Sequence, residues 1–571
     1  MLNAQFRTKV KLLVLVGFIL GLQDLTAQSD PKGERRVTGT YAIQNATVTT
    51  APGKTLSNAT IVIKNGIIES VGTNVSIPKD AQVISADSLF VYPGFIDGAS
   101  SAGVAKPADA DRPANMDPSN PPDEVAGVTP WRNVLDYYDK NNSQISDWRK
   151  NGITIAQIIP EGGMLPGKTA IVTFGHNSSS NVIAAQVGMS ARFRALGGGR
   201  GYGVYPSTPL GIMAKYRDVY KNAEISAQHD RIFASTSGQT RPEINKTSEA
   251  MYPVLEKNIP VIFEASTDIE ARRALSLQKE LGFRLVLAGV TEVDNIINEI
   301  KAANAAVLLS MRLPEDKITK AKTEGLSEEM MQRTKRIQES YENMLRQAAK
   351  LEAAGIPFGF AGLGSKSGDM LKNLRIMAAN GLSEKALVAA LTTNPANILG
   401  IGKFSGSIEK GKLANLVMMT GPITAEETQV KHVVADGYIF DYEVKPKKNG
   451  TESKTNGNGS VAIEGLWEYV SDTPAGSSGG MMDIKREGSG YKGTITYDSP
   501  SGGGKASSEM KNIVVSGNSL SFSFGVAANG LSLEVEVSGE VNASQFTGNL
   551  SLTDYGSFPL KATKKPNQSN L

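Results

Sequence analysis

The chain has 571 residues, too many for one ordinary hydrophobic core, so two or three domains are expected. A net charge of +3, with acidic and basic residues mixed throughout, gives no basis for a nucleic-acid or anionic-membrane partner. The lack of cysteine excludes disulfides, thiolate metal sites and cysteine nucleophiles, and only His176, His229 and His432 remain as imidazole ligands or bases.

Residues 1–27 read as an export signal. Arg7, Lys9 and Lys11 precede the apolar run Leu12–Leu22, and Leu25-Thr-Ala27 ends it on a small residue suited to cleavage near Ala27. That run is shorter than the roughly 20 residues a membrane-spanning helix needs, and no later segment reaches that length. A periplasmic or secreted protein without a transmembrane anchor is therefore expected. A linker at 28–40 follows, and then residues 41–93 are β-rich. Within them Ala59–Ile63 and Ile67–Val71 flank Asn65-Gly66, a dipeptide that supplies the positive φ angles of a tight hairpin.

From 94 to 395 the pattern is α/β. Short apolar runs (Ile153–Ile159, Val261–Phe263, Leu285–Leu287, Ala306–Leu309, Phe358–Phe360) alternate with helical stretches such as Ile269–Leu281 and the long polar Glu328–Ala354. Such alternation implies a parallel sheet, and its length suits a (β/α)8 TIM-like barrel, with a doubly wound open sheet as the competing architecture. Two loops stand out. Pro107–Pro130 reads as an extended loop after the first strand, and Gly197–Gly203 as a lid; the latter lacks the Gly-Lys-Ser/Thr of a phosphate loop. No Gly-x-Ser-x-Gly elbow for a serine nucleophile leads from a strand into a helix.

Residues 396–444 return to β-structure, and 445–462 have the Lys, Asn, Gly and Ser of a flexible linker. Residues 463–563 alternate polar and apolar side chains, as in Ser519–Phe524 and Leu533–Val537, and predict a separate all-β sandwich or barrel with Trp467 as a core plug. A short tail, 564–571, ends the chain.

Two segments carry a family resemblance. Val91-Tyr-Pro-Gly-Phe-Ile-Asp97 opens the barrel region, and Asn394-Pro-Ala-Asn-Ile-Leu-Gly400 with Gly406–Val417 closes it. This pair resembles the amidohydrolase superfamily, particularly its imidazolonepropionase-like branch, and the match runs from about Tyr41 to Tyr442. The resemblance implies a barrel flanked by one small β-sandwich made of 41–93 and 396–444. It implies hydrolysis of carbon–nitrogen bonds by zinc or another divalent metal, which lowers the pKa of a bound water.

The resemblance also says where the ligands belong. A His-x-His should follow the Pro-Gly-Phe-Ile-Asp strand, but Ala99 and Ser101 stand there. The bridging lysine after the fourth strand is sought at Val172-Thr173-Phe174 and is not found. Glu264 stands where a histidine is usual after the fifth strand, Gly289 marks an empty sixth position, and Gly362 follows the eighth where an aspartate is expected, with Asp369 the nearest carboxylate. No metal or other cofactor is therefore expected. The pocket candidates are Asp97, Ala99, Ser101, Glu264, Gly289, Gly362 and Asp369, with no metal ligand and no assignable catalytic residue. The leading reading is a degenerate family member that binds a small amide or peptide-like ligand, or that pairs with itself or with an active relative. The alternative is an active hydrolase of cyclic amide or peptide-like substrates built on Glu264 and a non-standard site, so whether the chain is an enzyme stays open at this level.

Overall fold

The computed structural model describes residues 34–36, 39–176, 181–194, 204–315, 327–444 and most of 463–565. The export segment, the Gly197–Gly203 loop and the 445–462 linker lie outside them. The chain divides into two compact units, Met1–Lys447 and Lys448–Leu571.

The first unit opens with β1 (Glu34–Arg36), β2 (Thr40–Ala51), β3 (Lys54–Lys64), β4 (Ile67–Gly72), β5 (Gln82–Ser85) and β6 (Phe90–Pro93). Asn65 (φ +51°) and Gly66 (φ +76°) turn β3 into β4, both in the left-handed region that a tight hairpin needs.

The barrel follows, formed by β7 (Phe95–Ser100), β8 (Ile153–Ile158), β9 (Gly167–Thr173), β10 (Val182–Arg192), β11 (Val261–Glu264), β12 (Leu285–Val290), β13 (Ala306–Ser310) and β14 (Phe358–Ala361). These eight strands form one sheet in chain order. Strands β7, β8, β12 and β14 are buried on both faces, as a wall between a filled lumen and an outer helical layer must be. Ile262, Val286, Leu308 and Ala361 belong to the lumen cluster, whereas Val261, Leu287, Leu309 and Phe360 pack in the larger core that contains the helices. Ile96, Ile155 and Ile171 meet Ala396 and Ile401 in a separate apolar cluster.

Two expectations are corrected. Strand β9 runs antiparallel to both β8 and β10. Residues 159–166 join β8 to β9, too few for a helical crossover, so the chain can only turn back. The fourth barrel strand is therefore β10 and ends at Arg192; Val172-Thr173-Phe174 lies at the end of the third. The long helix predicted over Glu328–Ala354 breaks at Arg346 into Glu328–Leu345 and Gln347–Ala353.

After the barrel come β15 (Leu416–Met419), β16 (Val430–Ala435) and β17 (Tyr438–Asp441), which join β1–β6 in one nine-stranded sheet. Pairing of β15 with β6 and of β17 with β1 brings the two distant segments together. Period-2 alternation gives this sheet two apolar faces: Leu416 and Met418 enter the sheet's own core, Val417 and Met419 the barrel's.

The second unit is a closed antiparallel barrel of β18 (Gly465–Thr473), β19 (Gly476–Glu487), β20 (Gly490–Asp498), β21 (Lys505–Ser516), β22 (Ser519–Ala528), β23 (Leu531–Asn542), β24 (Gln545–Leu552) and β25 (Gly556–Lys564). Pairing of β18 with β25 closes it and leaves no free edge. Trp467, Phe522, Phe524 and Phe546 fill its core, and Trp467 Nε1 donates to the Ile463 carbonyl at 2.8 Å. Val535 and Val537 point inward while Glu534 and Glu536 point outward. The outer face thus carries charged side chains, with Leu466, Val470 and Val514 also exposed on this barrel. Among the described residues, no helix is long and apolar enough to cross a membrane.

Candidate functional site

The C-terminal ends of the parallel strands form the mouth, where barrels of this kind carry their chemistry. Strands β10, β11 and β12 run in register there, so Arg192, Glu264 and Ala288 are neighbours. Arg192 is 5% exposed. Its Nε lies 3.1 Å from Glu264 Oε2, an ion-pair distance at which the N–H is nevertheless not aimed at the oxygen. Its Nη2 donates to the Pro160 carbonyl at 2.7 Å, and Nη1 donates to Glu161 Oε2 at 3.5 Å. The solvent-exposed Arg194 reaches the same Glu161 oxygen at 3.6 Å. A buried guanidinium without partners would be costly; two carboxylates and a carbonyl supply them.

The rest of the mouth is small and apolar. Ala99, Ala288 and Ala361 are fully buried in the lumen cluster with Ile159. Ser101, two residues after Ala99, is half-buried. Gly289 adopts φ +78° and contributes no side chain. Ser190, on β10 two residues before Arg192, is buried with its Oγ lacking a hydrogen-bond partner among the described residues.

Asp97 and Gly362 meet at the seam between the first and last barrel strands. Asp97 Oδ1 accepts from Gly362 N at 2.8 Å and from Ala99 N at 3.1 Å, while Oδ2 is buried without a partner. Burial pushes its carboxyl up to about 7, against the lowering effect of the Gly362 amide, the nearby Ser100 hydroxyl and the Ala99 amide. A Cβ at position 362 would sit 2.3 Å from Asp97 Oδ2, so only glycine fits there. Asp369, by contrast, is exposed at the end of the turn Ser367–Asp369 and takes no part in the seam.

The candidates from sequence are thus divided. Ala99 and Glu264 stand at the mouth, Asp97 and Gly362 form the seam, and Asp369 belongs to neither. Arg192 and Arg194 escape the sequence reading because β10 has no single alternation, its available signal being Met189-Ser-Ala-Arg192; Glu161, just past β8, carries no local signal that pairs it with them. No histidine compensates. His176 stacks on Tyr438 with centroids 4.7 Å apart, His432 Nδ1 lies 2.7 Å from Asp441 Oδ1, and His229 is exposed on the helix Pro209–Ser235.

Residues 220–440 match the amidohydrolase family. The barrel unit belongs to the amidohydrolase superfamily. Its fold is similar to that of an amidohydrolase from Thermotoga maritima MSB8, with 22% identity, a TM-score of 0.55, and coverage of 71% of this chain and 100% of that one. Looser likenesses include a prolidase complexed with N-methylphosphonate-L-proline (16% identity, TM-score 0.42) and a Xaa-Pro dipeptidase with bound methionine (14%, 0.43). Each covers 71% of this chain and 100% of its own. No curated protein matches.

Amidohydrolases usually work through divalent metals, so the mouth can be tested for fit. A metal centre needs three or more convergent nitrogen or oxygen ligands. Ala99, Ala288 and Ala361 offer none, and the Glu264 carboxylate is paired with a fixed cation. Among the described residues no group of three His, Asp or Glu side chains converges. The residues present do not fit the family's metal.

Proposed function

We propose that this amidohydrolase-fold protein does not carry out metal-dependent hydrolysis and instead binds a small peptide-like ligand at the barrel mouth. The observation that carries the reading is Arg192. A buried, permanently charged guanidinium ends the fourth strand beside Glu264, where the family would gather ligands around a metal cation. Exposed Arg194 with the partly exposed Glu161 and Glu264 offers charges of both signs, which suits a zwitterion with one ammonium and one carboxylate. An active hydrolase built on Glu264 is the rival, and the Arg192 pair is what counts against it.

Calorimetry with alanyl-proline, followed by chromatography of the recovered ligand, separates the two. The reading expects saturable binding, weakened at least about tenfold by Glu161→Gln or Arg194→Gln, and intact dipeptide with or without added zinc or manganese. Metal-dependent cleavage of the dipeptide overturns it.

Two further roles belong to this reading. Export rests on the Arg7–Ala27 segment, and N-terminal sequencing of the protein from its native host should begin near Gln28. Pairing with a second copy or an active relative is supported by the exposed Ile225, Ile232 and Phe233 on the helix Pro209–Ser235, and sedimentation would show it as a mass above that of one chain.

A further inference from the structure

The opposite end of the barrel holds features that the mouth does not explain. A cleft of about 350 Å³ lies at the N-terminal end of β11, lined by Gln157, Gln186, Asn258, Arg284 and Asn397 against the side chain of Ile262. A second, of about 360 Å³, shares Arg284 and Asn397 and adds Lys257 and Asn304. Among the described residues, neither cleft is lined by Asp or Glu. Two cations among carboxamides make these walls selective for negative charge.

Gln157 is the inner end of the first cleft and is 1% exposed. Its Nε2 donates to Thr169 Oγ1 at 2.8 Å, and that hydroxyl donates onward to the Gly188 carbonyl, which fixes the carboxamide's orientation. Its Oε1 is left buried with no partner among the described residues. Such an acceptor costs free energy unless something donates to it. At the outer end Arg284 spends one N–H on the Lys257 carbonyl at 3.2 Å and has others to offer.

The backbone here is also unusual. Among the described non-glycine residues with left-handed φ, all but two are Asn, Asp or Ser. The two are Gln186 (φ +55°) and Lys257 (φ +60°), one in each cleft. Gln186 sits where the β9–β10 register shifts, and its Oε1 accepts from Lys168 Nζ at 3.1 Å. Bulges and left-handed bulky residues are costly local features that re-aim side chains, and they gather at ligand sites.

We infer that the N-terminal end of the barrel is a second ligand site. It takes a small carboxylic acid that carries a hydrogen-bond donor, with the carboxylate at Arg284 and the donor at Gln157 Oε1. The site is separate from the mouth and does not depend on what the mouth binds.

The test is calorimetric titration of the full chain with succinamate, N-acetylglycine and L-lactate, and with propionamide as the uncharged control. At least one acid should bind saturably and propionamide should not. Arg284→Gln, at an exposed position, and Gln157→Met, of similar volume, should each weaken that binding about tenfold or more, while Arg194→Gln leaves it unchanged. The inference is overturned if none of the three acids binds saturably, if binding ignores Arg284→Gln, or if Arg194→Gln abolishes it, which would place the ligand at the mouth.

Discussion

Asp97 shows how one residue ties the barrel seam to pH. Burial raises its carboxyl from 3.8 to about 7, so the folded state holds the proton more tightly than the unfolded chain does. This contribution to stability is complete below about pH 4, declines as pH rises to about 7 and is flat beyond, an effect of at most about 4 kcal/mol. Asp97→Asn keeps an acceptor for the Gly362 and Ala99 amides and cannot ionise. It should be more stable than wild type at pH 8 by about 1–3 kcal/mol and equal to it near pH 4, read by urea unfolding at both values. The opposite order at pH 8 would mean that the ionised carboxylate stabilises the seam. Gly362→Ala drives a methyl group into the Asp97 carboxylate and should cost about 2–4 kcal/mol in the same assay. At this scale the sequence was only half legible. The Pro-Gly-Phe-Ile-Asp97 motif located the residue, but its contact with Gly362 spans 265 positions and leaves no local pattern.

Among the elements, what could be read depended on periodicity. The hairpin at Asn65-Gly66 and the runs of β11 to β14 were visible because turn chemistry and apolar length agree there. Strand β10 was hidden because it begins exposed and ends buried, so no single alternation runs through it. With it goes Arg192, so the sequence shows the vacancies at the mouth but not the cation beside Glu264. A double-mutant cycle on Arg192→Met and Glu264→Gln tests that pairing. A coupling of about 1–2 kcal/mol is expected in unfolding free energy, moderated by the exposure of Glu264; additivity would show that the two side chains act independently. The helix Pro209–Ser235 offers a second check. Its buried residues end at Ala223, so in a lone chain amides from Glu224 onward should exchange faster with deuterium than those of Ile212–Ala223, and the proposed pairing through Ile225, Ile232 and Phe233 should slow them. Uniform protection would reveal a covering partner.

For the whole molecule, the boundary after Lys447 and the separate core behind Trp467 predict that the C-terminal barrel folds alone. A fragment of residues 463–565 should unfold cooperatively with β-type circular dichroism; a fragment without a transition would show dependence on the first unit. Fold class was legible from the bookend motifs, because they record how the chain enters and leaves the barrel. Function was less so, since a fold carries lineage and not activity. In the proposed reading Arg192 takes the place of the family's metal. The most direct measurement is metal content per chain after dialysis against zinc and then manganese. Less than about a tenth of an equivalent of either is predicted, because three convergent ligands are lacking. One or two tightly held equivalents, lost on Glu264→Ala, would contradict it.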